Sequence, residues 1–137
     1  MRVLIDSNVA LDHMLQREPF CKSSDKIIDF TSETNEVLIS ASAVTDVFYI
    51  ARKHFRDKHK AMTALKKLLQ TVKVATVDDA DIRRAIALDW ADFEDAVQFV
   101  ASEGAAADCV VTRDKRGYAS STMTVLTPAE FLGYLRT

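Results

Sequence analysis

The stretch Val3–Asn8 reads VLIDSN and places a short apolar run directly before an acidic residue, Asp6. A strand that is apolar at every position is typical of a parallel sheet covered by helices on both faces. Similar runs follow at Val37–Ser40 and Asp108–Thr112, with helical patterns between them. The alternation predicts an α/β fold, a three-layer α/β/α domain around a central, mainly parallel sheet of four to five strands.

The predicted elements extend this pattern over the whole chain. We expect strands at Arg2–Ile5, Val37–Ser40, Val72–Val77, Asp108–Thr112 and Met123–Leu126. Amphipathic spacing predicts helices at Asn8–Gln16, Lys22–Thr31, Ala43–Arg56, Lys60–Gln70, Asp79–Asp89 and Phe93–Glu103. A last helix is expected after Thr127, because an N-cap threonine, a proline at N1 and a glutamate at N3 follow one another there.

Composition limits the classes of protein that the chain can represent. Its 137 residues, 48% of them hydrophobic, predict one folded domain over residues 1–137. No apolar run approaches the ~20 residues that span a bilayer, and no secretory signal opens the chain, so we expect a cytoplasmic protein without a membrane partner. Cys21 and Cys109 lack metal-ligand spacing and fit a reducing compartment. A net charge of −2 does not by itself indicate a nucleic-acid binder.

Four acidic residues from distant segments are expected where strands end or helices begin: Asp6, Asp46, Asp95 and Asp114. Sites in open α/β sheets form at the carboxyl ends of the strands, so these side chains are expected to converge. Helix capping explains any one of them equally well. Carboxylates brought together repel one another unless a cation lies among them, and oxygen ligands favour Mg²⁺ or Mn²⁺. The set therefore predicts a metal site that acts on phosphates.

Four motifs in chain order resemble those of the PIN domain family. They are VLIDSN at residues 3–8, DFEDA at 92–96, VVTRD at 110–114 and LTPAEFL at 126–132. The resemblance implies an endoribonuclease that depends on Mg²⁺ or Mn²⁺. It also points to the VapC-type toxins, small members that are held inactive by a partner antitoxin and are usually homodimers. A surplus of apolar residues in the two N-terminal helices favours a dimer. These residues are Leu11, Met14, Leu15, Ile27, Ile28 and Phe30.

One position departs from the family pattern. Where the family usually has glutamate after its second strand, this chain has Asp46, whose side chain is about 1.5 Å shorter. A catalytically impaired module that binds RNA or protein is therefore the alternative to an active nuclease. No histidine adjoins the acids, which favours a metal-activated water over a histidine base.

Each candidate residue has an expected role. Asp6, Asp95 and Asp114 are the predicted metal ligands, and Asp46 is expected to orient the attacking water. Ser7 and Thr112 offer hydroxyl groups to the carboxylates or to a ligand. The amide of Asn8 either fixes Asp6 or caps a helix, and Glu94 either supports the site or is an ordinary first-turn acid.

Basic residues near the acids are the predicted contacts for RNA. Lys53, Arg56, Lys115 and Arg116 are expected to carry the substrate backbone to the site. Arg113 is expected to meet phosphate or to pair with Asp114 or Glu94. Tyr49, Phe55 and Trp90 offer rings that can stack on bases, but a packing role is expected for each; Trp90, in a polar stretch, is the strongest candidate for exposure.

Overall fold

A five-stranded parallel sheet forms the centre of the protein, whose computed structural model describes all 137 residues. The strands are β1 (Arg2–Ile5), β2 (Glu36–Ser40), β3 (Lys73–Ala75), β4 (Cys109–Val111) and β5 (Val125–Leu126). Their order across the sheet is β3-β2-β1-β4-β5, and every neighbouring pair is parallel. The predicted fold class is confirmed, and β1 occupies the middle position because both β2 and β4 pair with it.

Seven α-helices cover the two faces of the sheet. They are α1 (Ser7–Leu15), α2 (Cys21–Asp29), α3 (Ala41–Phe55), α4 (Lys58–Leu69), α5 (Asp79–Leu88), α6 (Phe93–Gly104) and α7 (Pro128–Leu135). Side chains of a strand alternate between faces. Val3 and Ile5 accordingly join a core shared with α1, α2, α3, α4 and α7, whereas Leu4 joins the core formed with α5 and α6. No helix is both long and apolar enough to cross a membrane.

Helix caps explain most of the differences from the predicted bounds, none of which exceeds two residues. Helix α3 begins at Ala41 because the Ser40 hydroxyl accepts a hydrogen bond from the Ser42 backbone N–H. Helix α4 begins at Lys58 because the Asp57 carboxylate accepts two backbone hydrogen bonds of the first turn. Helix α7 has the predicted proline and capping box.

One element was not predicted from the sequence. A 3₁₀ helix spans Lys115–Tyr118 and follows directly on the segment after β4. Its first turn is capped by Asp114, whose carboxylate accepts a hydrogen bond from the Arg116 backbone N–H. This short helix brings Tyr118, which is only 2% exposed, under the edge of the sheet.

The apolar residues of the two N-terminal helices belong to the core, so they do not support a dimer surface. Leu11, Ile27 and Ile28 are buried, and Met14, Leu15 and Phe30 pack against the same cluster. Phe30 meets Phe131 of α7 edge-on, with ring centroids 5.4 Å apart. The larger exposed apolar side chains lie elsewhere and include Tyr49, Ile50, Ile86 and Phe93.

Candidate active site

The candidate site lies where the strand order reverses, at the carboxyl ends of β1 and β4. In an open parallel sheet this position forms a crevice. Asp6 follows β1 directly and caps α1, while Thr112 follows β4 directly. Helix α6 crosses the same edge and supplies Asp95 from its first turn.

The carboxylate of Asp6 is 5% exposed and is surrounded by donors. Its Oδ2 accepts hydrogen bonds from the hydroxyls of Thr112, at 3.0 Å, and Tyr118, at 3.1 Å. Its Oδ1 accepts from the Ser7 hydroxyl at 3.1 Å and lies 3.4 Å from the Gln98 side-chain nitrogen. These four contacts fix the orientation of the carboxylate.

Asp95 is half-buried beside Asp6. Burial raises the pKa of the Asp95 carboxyl to about 7, and the charge of Asp6 is the next largest cause. The charges of Asp92, Glu94 and Asp114 raise the same pKa further. A carboxyl group shifted in this way is common in functional sites, because such sites collect more charge than their surroundings neutralise.

Glu94 belongs to the site. Its Oε1 lies 3.1 Å from the Ser7 hydroxyl, which also contacts Asp6. Burial raises the pKa of Glu94, and the charges of Asp46 and Asp6 contribute. A serine hydroxyl has one hydrogen, so it donates to one of the two carboxylates at a time.

Asn8 neither contacts Asp6 through its side-chain amide nor caps α1, which were the two roles predicted for it. Asp6 caps α1, and the Asn8 amide donates instead to the Thr112 hydroxyl, at 3.3 Å. The Asn8 carbonyl oxygen accepts from the Arg113 backbone N–H, also at 3.3 Å. Asn8 therefore links the ends of β1 and β4 and orients the hydroxyl that donates to Asp6.

Arg113 pairs with an acid that the sequence analysis did not consider. Its guanidinium binds Asp12, with Nε 2.7 Å from Oδ2, and does not pair with Asp114 or Glu94. Asp12 is completely buried and also accepts from Arg17, at 2.8 Å. The guanidinium lies over the Phe20 ring, with its central carbon 3.9 Å from the centroid. The prediction that Arg113 pairs with Asp114 or Glu94 is therefore wrong, and its contact with phosphate stays a prediction.

Asp114 and Asp46 lie at the open side of the site. The Asp114 carboxylate is 54% exposed and pairs with Arg116, whose hydrogen bonds lower the pKa of the carboxyl. Asp46 is exposed on α3 and forms no hydrogen bond through its side chain. Its negative charge contributes to the raised pKa of Glu94. The structure thus joins Asp6, Glu94 and Asp95 closely and leaves the other two acids at the rim.

Three further residues of the site were not predicted from the sequence: Gln98, Gly117 and Tyr118. Gln98 is completely buried and contacts both Asp6 and Asp95. Gly117 packs directly against the Asp95 carboxylate, since a Cβ there would lie 2.0 Å from Oδ2. Burial and the charge of Asp6 raise the pKa of Tyr118, so its phenol remains a donor. Only the placement of Gln98 one turn after Asp95 was visible in the sequence.

The predicted basic residues fall into two groups. Lys115 pairs with Glu130, and Arg116 pairs with Asp114, so neither is an uncompensated cation. Lys53 and Arg56 form no salt bridge and line a surface groove of about 480 Å³ together with Tyr49, Arg52, Asp57 and Lys58. Lys53 and Arg56 are therefore the two predicted basic residues without an ion-pair partner, and they lie at the end of α3 that follows Asp46. Contact of any of the four residues with RNA stays a prediction.

Trp90 packs against the protein and is not an exposed stacking platform. Its ring stacks on Phe99 with centroids 4.9 Å apart, and its centroid lies 6.0 Å from that of Tyr118 in an edge-on arrangement. The packing role expected for the aromatic residues is therefore the one that Trp90 has, and its ring covers the core beside the 3₁₀ helix.

The donor set fits a hard divalent cation by chemistry. Asp6 and Asp95 offer carboxylate oxygens, which Mg²⁺ and Mn²⁺ prefer, and the repulsion between the two acids favours a cation beside them. No group of three or more His, Cys, Asp or Glu side chains is placed so that it could hold a metal ion. Asp6 and Asp95 would hold such an ion, and Mg²⁺ commonly keeps several water ligands.

These features define the class of protein: a parallel α/β/α domain with an acidic site at the topological switch point. A sequence profile described as "PIN domain" matches residues 2–116, and the chain belongs to that family. It is 28% identical over 136 residues to Ribonuclease VapC1 of Aquifex aeolicus (strain VF5), a match that covers 95% of this chain and 92% of that protein.

Solved structures share the fold at low sequence identity. VapBC2 from Rickettsia felis, determined with a DNA fragment from its promoter, matches with a TM-score of 0.74 and 13% identity, over 91% of this chain and 97% of that one. VapC20 from Mycobacterium tuberculosis, described as a sarcin-ricin loop cleaving toxin, matches with a TM-score of 0.69 and 13% identity, over 86% and 94%.

We expect Asp95→Asn to stabilise the metal-free protein at neutral pH. A folded pKa of about 7, above the ordinary 3.8, means that ionised Asp95 destabilises the fold and that the penalty disappears as pH falls through this range. Each pH unit corresponds to about 1.4 kcal/mol, but solvent screening reduces the effect at a half-exposed carboxyl, so we expect a gain of about 1–2 kcal/mol at pH 8.

Chemical denaturation in chelator at pH 8 and pH 5 measures this difference. The gain should be clear at pH 8 and smaller at pH 5. Glu33→Gln, which neutralises an exposed acid in the loop before β2, is the control and should show no comparable gain. Equal stability of Asp95→Asn and parent at pH 8 would contradict the expectation.

Proposed function

We propose that the chain is a divalent-metal-dependent endoribonuclease of a single PIN domain spanning residues 1–137, and the toxin of a toxin–antitoxin pair. The observation that carries the proposal is the contact of one buried amide, Gln98, with both Asp6 and Asp95, which places two carboxylates at the switch point of the sheet. Support also comes from the similarity to Ribonuclease VapC1 of Aquifex aeolicus. The two free, buried cysteines fit a cytoplasmic location.

Each acidic side chain of the site has its own role in this proposal. Asp6 and Asp95 hold Mg²⁺ or Mn²⁺, and Asp114 completes the site from its exposed edge. A bound divalent ion stabilises charge on the phosphoryl oxygens and lowers the pKa of a water. Asp46, which is exposed and forms no side-chain hydrogen bond, would orient the attacking water. Glu94 holds a proton more readily than an ordinary glutamate, because its pKa is raised by burial.

The alternative proposal is a PIN-like module that binds RNA or protein without cutting it. Asp46, shorter than glutamate and exposed, is the observation that favours it. Cleavage assays separate the two proposals.

We expect the purified chain to cut single-stranded RNA with Mg²⁺ or Mn²⁺ and to stop when a chelator is added. Asp6→Asn should lower the rate by more than about 100-fold, because loss of a ligand costs more than loss of a residue that merely supports one. Gel-resolved cleavage of a labelled RNA measures the rate. Full activity in excess chelator would overturn metal dependence, and RNA binding without cleavage in any metal would favour the alternative.

We expect the groove beside α3 to bind the RNA backbone. Lys53 follows Asp46 by about two turns of α3, so its cation lies toward one end of the acidic edge. Lys53→Gln combined with Arg56→Gln should weaken RNA binding and reduce the slope of log affinity against log salt by roughly 1.4, or about 0.7 for each contact.

Fluorescence anisotropy over a salt series measures this effect. Lys66→Gln combined with Lys67→Gln is the matched control, because it removes the same charge from exposed positions of α4. If both double variants lose affinity equally, only net charge matters and the groove is not an RNA path.

We expect expression of the chain alone to arrest growth, and a separate antitoxin polypeptide to relieve the arrest. An acidic pocket attracts a basic side chain, so an antitoxin arginine or lysine would block it. Growth curves measure the arrest, with Asp6→Asn as the control. Identical growth with the parent and with Asp6→Asn would contradict the toxin role.

The same proposal includes a homodimer, with exposed apolar residues such as Tyr49, Ile50 and Ile86 as candidate contacts. Ultracentrifugation at micromolar concentration tests the dimer, and a monomer under these conditions would contradict it.

A further inference from the structure

Gln98 occupies the only position in the fold that contacts both Asp6 and Asp95 through one side chain. Its Nε2 lies 3.4 Å from Oδ1 of each carboxylate, and its Oε1 accepts a hydrogen bond from the Ser7 backbone N–H at 3.2 Å. The side chain is completely buried, so no water competes for these contacts.

The orientation of the Gln98 amide follows from its partners. The Ser7 N–H belongs to the first turn of α1, where backbone donors have no partner within the helix. An acceptor must face that N–H, and the amide oxygen is the group that does so. The NH₂ group is then directed at the carboxylates, and its two hydrogens match the two carboxylate oxygens. The reversed amide would place its oxygen against both carboxylates and its NH₂ against a donor.

Gly117 packs against the other oxygen of the Asp95 carboxylate, Oδ2. A Cβ at this position would lie 2.0 Å from Oδ2 and 3.1 Å from Cγ of Asp95. The carboxylate therefore rests on bare backbone of the 3₁₀ helix, while Gln98 contacts its other oxygen. The backbone of Gly117 does not have positive φ, so an alanine there would collide with the Asp95 carboxylate but would not strain the backbone.

We infer that Gln98 and Gly117 are positioning residues that hold the Asp95 carboxylate opposite Asp6 for a divalent cation. This inference rests on the proposed function. Gln98 offers one hydrogen to each acid and so limits their mutual repulsion, and Gly117 admits the carboxylate to this place. Neither residue supplies a ligand.

The test is the affinity of the protein for Mn²⁺, measured by titration calorimetry without RNA. Gln98→Met keeps the length and apolar volume but removes both donors and also the oxygen that accepts from the Ser7 N–H. Gly117→Ala displaces Asp95 without changing any polar group. Each variant should raise the Mn²⁺ dissociation constant about 10- to 100-fold, the range found for residues that hold metal ligands. Cleavage should fall at low Mn²⁺ and recover at high Mn²⁺, with the KM for RNA unchanged.

Two controls match these variants. Ser102→Ala removes another buried polar group from α6, one that bonds only the Phe99 carbonyl. Gly133→Ala adds a methyl group where nothing lies within 4 Å. Both should bind Mn²⁺ within about twofold of the parent. If Gln98→Met fails to fold, Gly117→Ala carries the test, because the atom it meets is the movable end of a side chain.

The outcomes are distinct. Folded Gln98→Met or Gly117→Ala with the Mn²⁺ affinity of the parent would overturn this inference and leave the proposed function intact. A parent protein that binds no Mn²⁺ and cuts RNA without it would overturn the proposed function, and this inference with it.

Discussion

The repulsion between Asp6 and Asp95 is the constraint on which the site depends. Two carboxylates at one edge of a sheet do not both stay ionised without compensation, and the fold provides it unequally. Asp6 receives hydroxyl hydrogen bonds from Thr112 and Tyr118 and contacts Gln98, whereas Asp95 receives little and has its pKa raised to about 7. The protein therefore surrounds one acid with donors and leaves the charge of the other with little compensation.

A second buried acid fixes the segment that carries Thr112 and Asp114. Asp12 has no exposed surface and binds both Arg17 and Arg113, so removal of either arginine leaves charge with less compensation. Arg113 follows Thr112 directly, and Asn8 binds Thr112 as well as the Arg113 backbone. Helix α1 thus holds the end of β4 at two adjacent residues, Thr112 and Arg113.

The sequence was sufficient to predict the sheet, the helices and the acids, because each has a local pattern. Short apolar runs predict buried strands, and an acid after such a run lies at the carboxyl edge whatever its partners are. Gln98 and Tyr118 have no such pattern: a glutamine inside a helix normally faces solvent, and a tyrosine near a turn normally packs. Arg113 was assigned the wrong partner because Asp12 resembles an ordinary helix residue in sequence. Its burial depends on how α1 packs, which spacing alone does not specify.

Trp90 is the only tryptophan of the chain, and its packing gives the protein an intrinsic optical signal. The indole lies edge-on to Tyr118, and the Tyr118 hydroxyl donates directly to Asp6. One aromatic ring therefore separates the indole from the Asp6 carboxylate. The single tryptophan is placed where its fluorescence can be tested as a label-free reporter of the acidic edge.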